Sequence, residues 1–349
     1  MSEMTALESV RKRPGMYVGN VNDEGVMHLA LDVIANAYDQ YLAGRCTSID
    51  IDVAADGTVT IVDDAPGMSV EAIEGSLGLH EILTTMSTRP TVDGHRPHAH
   101  LGIGGIGLFV VTALSERFEI VTIHNGTEAR AVYSRGHVVE AFTSTATAAS
   151  SGTTIRYLPD AQIFQHTRMN RTRLTSVLED LAFLAPSLTL GWRFAGDNLA
   201  CEGLAGRIAS RLAVPLPDVA RYTGTFETAT GPIDVEVALA WENYNHHPTI
   251  DSFVNLFRTR DHGAHVEGLI DGICDFLGTR ARQRVQFGLT AAVAVILTDV
   301  KFGNPAKDRL DSEEAQAPVA EATKRALEAW ALARPEHAKA LRARIRTKP

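Results

Sequence analysis

Residues 28–67 read HLALDVIANAYDQYLAGRCTSIDIDVAADGTVTIVDDAPG. Two periods meet in this stretch. From about Gly25 to Leu42 the apolar residues Leu31, Ile34, Ala35, Tyr38 and Leu42 recur every three or four positions, the spacing of one helix face. His28, Asp32, Asn36 and Asp39 recur with the same period and form a second, polar stripe on that helix. Gly44 supplies a stop. From Ser48 the period changes to two: Ile49, Ile51 and Val53 alternate with Asp50 and Asp52. Asp56-Gly57 makes a turn, and Val59 and Ile61 continue the alternation, so the segment predicts a hairpin. Its second strand runs into Asp63-Asp64-Ala65-Pro66-Gly67.

Outward from this stretch, a helix is predicted over roughly Val70–Thr85, with Ser69 as its cap. A loop spans 86–100, with His95, His98 and His100 in it, followed by a glycine-rich turn and an apolar helix over 108–114. Strands are predicted at 118–124, 129–133 and 152–157, and a helix at 174–184. Further strands are expected at 226–242, 248–258 and 289–300, with a helix at 264–277 and a charged, Ala-rich helical tail over 312–345. Strands and helices alternate irregularly, which predicts an α+β fold and not a doubly wound parallel one. The 349 residues suggest two domains, 1–205 and 206–349.

Lys plus Arg total 33 and Asp plus Glu 42, a formal net charge of −9, which argues against a chain that coats nucleic acid by bulk charge. A local basic surface from Arg168, Arg171, Arg173, Arg258 and Arg260 stays open; ion pairing is the commoner fate of such residues. The three cysteines, Cys46, Cys201 and Cys274, have no metal-like spacing and fit a reducing compartment. The first residues lack the apolar core of a signal peptide, and the longest apolar run, 289–297, is too short to span a bilayer. A cytoplasmic protein without membrane association is expected.

Four groups of residues carry candidate chemistry. On the polar helix stripe, Asp32 suits a general base and His28, one turn earlier, can position it. Asn36 offers a neutral oxygen to Mg²⁺, an ion that takes few protein ligands when phosphates supply the rest. The same stripe also describes a solvated helix face. Asp63, at a strand end, can accept from an exocyclic amine, and Gly67 can admit a flat ring near the backbone; the same residues also describe a surface turn. Gly102, Gly104, Gly105 and Gly107 precede a helix and can cradle phosphates, but lack the Lys-Ser/Thr of a Walker A loop. Lys307, past a buried strand, can reach a γ-phosphate, or be an ordinary surface lysine.

In this order the motifs resemble those of the ATPase half of the DNA gyrase B and topoisomerase IV subunits, members of the GHKL ATPases. The matching text includes Ser9 to Gly19, the helix Leu31–Asp39, Asp63–Gly67, the glycine lid, Val110–Ser115, Gly152–Arg156, Ser252–Asn255, Asp261–Gly268 and Lys301–Leu310, within residues 8–325. The resemblance implies a Bergerat-type ATP-binding α/β sandwich followed by a ribosomal S5-like transducer domain. It implies that Asn36 is the Mg²⁺ ligand, that Asp63 takes the adenine amine with Thr153 in support, and that Asp39 is a structural carboxylate near the site. Gly67, Met68, Gly102, Gly104, Gly105, Ile106 and Gly107 are implied to line the nucleotide, with Arg130 at the outer rim. Lys307 is implied to touch the γ-phosphate from the second domain.

The departures are equally specific. The family's catalytic Glu is Asp32, one methylene shorter, and a reacting group misplaced by about 1 Å costs roughly 10²-fold in rate. A Glu–Arg pair beside the family's site is Gln40 and Pro66, so neither charge is left alone. The acidic residue before the Mg²⁺ Asn is Ala35, and a lid lysine is replaced within Thr88-Arg89-Pro90, where Arg89 or Arg96 can substitute. The loop Gln and Thr beside Lys307 are Pro305 and Ala306. The N-terminal arm of the family is nearly absent, and a naturally short, diverged relative is favoured over an excised ATPase half. Three functions are expected from this: a slow Mg²⁺-dependent ATPase that forms a homodimer on binding ATP; a non-hydrolysing ATP-binding partner of a topoisomerase; or an accessory enzyme whose pocket transfers adenylyl or phosphoryl to a small molecule.

Overall fold

The computed structural model describes residues 5–72, 77–86, 106–193, 203–242, 247–255, 257–304 and 307–347. It divides into two compact units. One comprises 1–182 and 187–200, the other 183–186 and 201–349. The first unit contains helices α1 (Ala6–Lys12), α2 (Gly15–Val18), α3 (Asp23–Leu42), α4 (Leu79–Thr84), α5 (Gly107–Ala113) and most of α6 (Arg171–Leu184). Its strands are β1 (Ser48–Val53), β2 (Val59–Asp63), β3 (Ser115–His124), β4 (Thr127–Ser134), β5 (His137–Ala146), β6 (Gly152–Pro159) and β7 (Thr189–Trp192). They form one sheet in the order β5-β4-β3-β6-β2-β1-β7, antiparallel except for the parallel β1–β7 pair.

The helix and hairpin of the opening stretch form as their periods predict. The Asn22 side chain caps α3 by accepting from the Glu24 N–H at 2.8 Å. Ile49, Ile51, Val59 and Ile61 are all at most 2% exposed, so the hairpin buries one face. Phe118 and Ile120 of β3 and Ile155 of β6 extend that apolar layer, and α3 and α5 pack on the sheet. Arg11 fastens α1 to it: its guanidinium donates to the Ala113 carbonyl and to Asp160, both at 2.7 Å. Asp160 is fully buried and also receives Arg135 at 3.0 Å.

The second unit contains α7 (Gly203–Leu212), α8 (Ala264–Leu277), α9 (Arg282–Gln286), α10 (Gln316–Ala333) and α11 (Pro335–Thr347). Its strands are β8 (Ala220–Thr228), β9 (Gly231–Trp241), β10 (Thr249–Val254), β11 (Phe257–Arg258) and β12 (Leu289–Ile296), ordered β11-β10-β12-β9-β8. β10 and β12 are parallel and α8 is their crossover. Alternation on the central strands feeds two cores. Val235, Val237, Val293 and Val295 face α8 and α10, while Ala238, Ala240, Ala292 and Ala294 face α7.

Several boundaries differ from those expected. Of the helix predicted over 70–85 the described residues hold α4, whose N-cap is Gly78 and not Ser69, while 73–76 lie outside the described residues. Ser69 Oγ donates to the Glu71 carbonyl instead. The strand expected over 226–242 is the second arm of a β8–β9 hairpin turning at Thr228–Gly231. The strand expected to reach Val300 ends at Ile296. The tail breaks into α10 and α11 at Arg334-Pro335, because proline starts a helix far more readily than it continues one. Unanticipated are α1, α2, α7, α9, β7 and the edge strand β5. β5 has no fully buried residue, so its sequence carries no two-sided contrast to read.

α8 crosses α10 closely because glycines stand at the contact. A Cβ on Gly268 would lie 2.3 Å from the Gln316 carbonyl oxygen, and one on Gly272 would lie 2.3 Å from that of Ala320. Backbone blocks that space, so the helices must separate to admit a methyl group. Gly272→Ala should therefore cost about 1–3 kcal/mol in urea unfolding despite alanine's better helix propensity. A neutral or stabilising result would show that this crossing is not tightly packed.

Candidate functional site

The site is built where the helix layer meets the end of β2. Asp63 pairs in register with Thr153 on β6, Thr153 with Thr122 on β3, and Thr122 with Ala129 on β4. The side-chain period of two puts this row on the same face as Ile61, Ile155 and Ile120, the face buried under helices. Thr153 is 5% exposed and Thr122 1%. Polar groups thus replace the apolar ones where the buried layer ends.

Burial is the largest influence on Asp63 and pushes its carboxyl up to about 6, against backbone N–H groups of Ala65 and Thr153 that pull it down. The Ala65 N–H lies 3.0 Å from Oδ1. Its neighbour Asp64 points the other way along the pleat. Partial burial raises it too, but the hydroxyl and N–H of Thr47 and the N–H of Ser48 outweigh that and hold it near 2. One carboxylate ties down the start of β1, and the other is kept poorly solvated in the cleft.

The turn after Asp63 presses against β3. Gly67 has φ of +74°, and a Cβ there would stand 2.1 Å from the Ile123 carbonyl oxygen, so only glycine fits. The Met68 N–H donates to Thr122 Oγ1 at 2.7 Å. His124 Nδ1 lies 2.9 Å from the Pro66 carbonyl oxygen, and Asn125 Nδ2 lies 2.9 Å from His124 Nε2. The neutral Nδ1–H tautomer satisfies both: it donates to Pro66 and accepts from Asn125.

The polar stripe of α3 is not a solvated face. Asp39 is 3% exposed, and His28, Asp32 and Asn36 are all partly buried. His28 Nε2 stands 3.8 Å from Asp32 Oδ1. Asn36 Nδ2 donates to the Asp32 backbone carbonyl at 2.8 Å, which leaves Oδ1 as the end able to take a cation. Among the described residues no group of three His, Cys, Asp or Glu could hold a metal, so the donor set fits only an ion carried mainly by phosphate and water. Asp32 abuts the start of α5: a Cβ on Gly107 would lie 3.2 Å from Asp32 Cβ and 3.3 Å from Cγ. Ile106, just before it, is buried.

The structure therefore gathers His28, Asp32, Asn36, Asp39, Asp63, Gly67, Met68, Ile106, Gly107 and Thr153 within the first unit. Gly102, Gly104, Gly105 and the three loop histidines lie outside the described residues. Arg130 pairs in register with Val121 and so projects from the opposite face to Asp63, where it meets Glu119 at 2.9 Å. Lys307 belongs to the second unit, is 9% exposed with φ of +60°, and lays Nζ 4.3 Å from the centre of the Phe257 ring. Of the candidate basic residues, Arg173 pairs with Glu24 and Arg258 with Asp251. Burial raises the Cys46 thiol to about 12 and lifts Cys274 as well, so neither is an activated nucleophile. Thr122 and His124 were not anticipated. A threonine in the phase of Phe118 and Ile120 is the signal that marks Thr122.

A family model described as DNA gyrase B matches residues 210–348. The gyrase B protein of Synechocystis sp. is 32% identical over 343 residues, covering 90% of this chain and 32% of that protein. The gyrase B protein of Campylobacter jejuni is 28% identical over 359 residues, covering 97% and 46%. The chain spans a third to a half of the length of these relatives. Among solved structures, the 43K ATPase domain of Thermus thermophilus gyrase B superposes with a TM-score of 0.80 at 26% identity, over 98% of this chain and 94% of that one. The topoisomerase IV ATP-binding domain of Francisella tularensis gives 0.76 at 25%, over 98% and 96%. The chain resembles the ATPase half of these proteins along nearly its whole length, and its fold is the mixed α/β fold of GHKL gyrase B ATPase domains. No helix among the described residues is long and apolar enough to cross a membrane.

A carboxylate that is costly to bury should show itself in stability. Unfolded, Asp63 ionises near 3.8; folded, near 6. Folding favours its protonated form, so its contribution is fully present below pH 3.8 and is lost as pH rises to 6. Asp63→Asn should stabilise the protein at pH 7 by about 2 kcal/mol, a gain that fades as pH falls toward 4. A pH-independent effect in urea titrations would refute the cost assigned to this group.

Proposed function

We propose that this chain binds ATP with Mg²⁺ in the first unit and hydrolyses it slowly. The observation that carries the reading is the row of part-buried Asp63 with buried Thr153 and Thr122 beside a close-pressed glycine turn, in the unit whose helix α3 bears Asp32 and Asn36. The ionised Asp63 accepts the adenine amine, and Thr153 supports it. Gly67 and Met68 line the ring, while Ile106 and Gly107 carry the lid into α5. Asn36 is the protein ligand for Mg²⁺, which when bound offsets charge on the phosphates.

The chemical work falls to Asp32. It takes a proton from a water as the water oxygen bonds to the γ-phosphorus and the bond to the bridging β,γ oxygen breaks, releasing ADP and phosphate. His28, one turn below, keeps the carboxylate facing that water. Aspartate in place of the family's glutamate sets the reach of this base, and the expected consequence is slow turnover. Pairing of two copies on nucleotide binding, and association with a topoisomerase, are further proposals that rest on the resemblance alone.

Turnover and binding separate the readings. Asp32→Asn should abolish phosphate release while ATP affinity stays within a few-fold, and Asp63→Asn should weaken affinity at least tenfold. Both are read by calorimetry and a phosphate assay on the full chain. Unchanged turnover in Asp32→Asn removes that residue as base. Tight binding by a wild-type chain with background turnover favours the regulatory ATP-binding module, and AMP among the products favours adenylyl transfer.

A further inference from the structure

On β3, Phe118, Ile120 and Thr122 share the buried phase, and His124 continues it half-buried. Phe118 and Ile120 fill the apolar layer. Thr122 is 1% exposed, and valine would take the same shape there with no hydroxyl to bury. The hydroxyl is spent on the turn after Asp63. It accepts from the Met68 N–H at 2.7 Å, the only acceptor of that N–H among the described residues, and it donates to the Met68 carbonyl at 3.5 Å.

Three consecutive residues of β3 thus meet three consecutive residues of the turn in antiparallel order. Thr122 holds Met68, the Ile123 carbonyl stands against Gly67, and His124 Nδ1 holds the Pro66 carbonyl. Thr122 is also in register with Thr153, and Thr153 with Asp63. One threonine therefore fixes two things to the same sheet: the carboxylate, through the strand ladder, and the Gly67–Met68 segment, through its hydroxyl.

We propose that Thr122 is a positioning residue that sets selectivity for a purine bearing a 6-amino group. The proposal rests on the ATP reading, in which Asp63 takes that amine and Gly67 and Met68 line the ring. A carboxylate distinguishes a ligand with an N–H from one without it only if the ring is held at hydrogen-bond distance and water is kept from filling the gap. The turn does the holding, and Thr122 ties the turn to the strand. With valine there, the Met68 N–H loses its acceptor, the turn can withdraw, and water can stand in for the amine.

Two measurements on the full chain test this. The first is calorimetry with ATP and with purine riboside triphosphate, which lacks only the amine, both with Mg²⁺. Thr122→Val should weaken ATP about tenfold and leave the analogue within twofold, so that the preference for the amine falls about tenfold; Thr122→Ser, which keeps the hydroxyl, should retain the preference. A threonine with a merely structural role weakens both nucleotides equally or neither, and either result overturns the selectivity role. The second is amide hydrogen exchange without nucleotide. Met68 should exchange at least tenfold faster in Thr122→Val while the amides of β2 keep their wild-type rates. An unchanged Met68 rate overturns the clamp whether or not the chain binds ATP. A wild type that binds neither nucleotide defeats the ATP reading and the selectivity with it, and the exchange rates still decide whether Thr122 holds the turn.

Discussion

The first unit depends on one close approach, the turn Asp63–Met68 lying directly on β3. A side chain at Gly67 would collide with the Ile123 carbonyl, and the Met68 N–H and the Pro66 carbonyl are each held by a β3 side chain. Because that turn is fixed, Asp63 cannot swing outward to solvent and stays in a poorly hydrated position, its carboxyl raised to about 6. A carboxylate raised by desolvation is not kept for stability's sake. The energy stored in its desolvation is available to any ligand that brings a donor.

Much of this was legible in the chain. The helix and hairpin of residues 25–63 follow from two clear periods, since each element buries one face and exposes the other. α8 was readable to the residue, because its apolar stripe begins after Gly263 and ends at the left-handed Gly278. What could not be read has physical reasons. β5 is exposed on both faces and carries no alternation. α1 is held by Arg11 reaching Asp160, a contact across 149 residues that no local pattern encodes.

The candidate site was legible in its residue types and not in its anchoring. Asp63 and Gly67 stand out at and just past a strand end, and Asn36 within a helix's polar stripe. Thr122 and His124 lie on a strand whose apolar alternation hides them, and their importance appears only when β3 is seen to support the turn. Arg130, implied by the resemblance at the nucleotide's outer rim, stands on the face away from Asp63, joined to Glu119. A shift of a single residue along a strand is enough to change which face a side chain serves.

The departures from the gyrase B pattern are compensated locally. Gln40 and Pro66 stand where the resemblance implies a charge pair, so neither member of that pair is left alone. Proline at 66 offers no side-chain donor and no N–H. Its carbonyl is instead taken by His124, whose other ring nitrogen is satisfied by Asn125. In the proposed function this neutral hold on the turn would serve adenine recognition, while the shorter Asp32 would act on the chemical step. The expected result is a protein that keeps the ability to grip nucleotide while its rate of hydrolysis is set by how well the neighbours of Asp32 hold it in place.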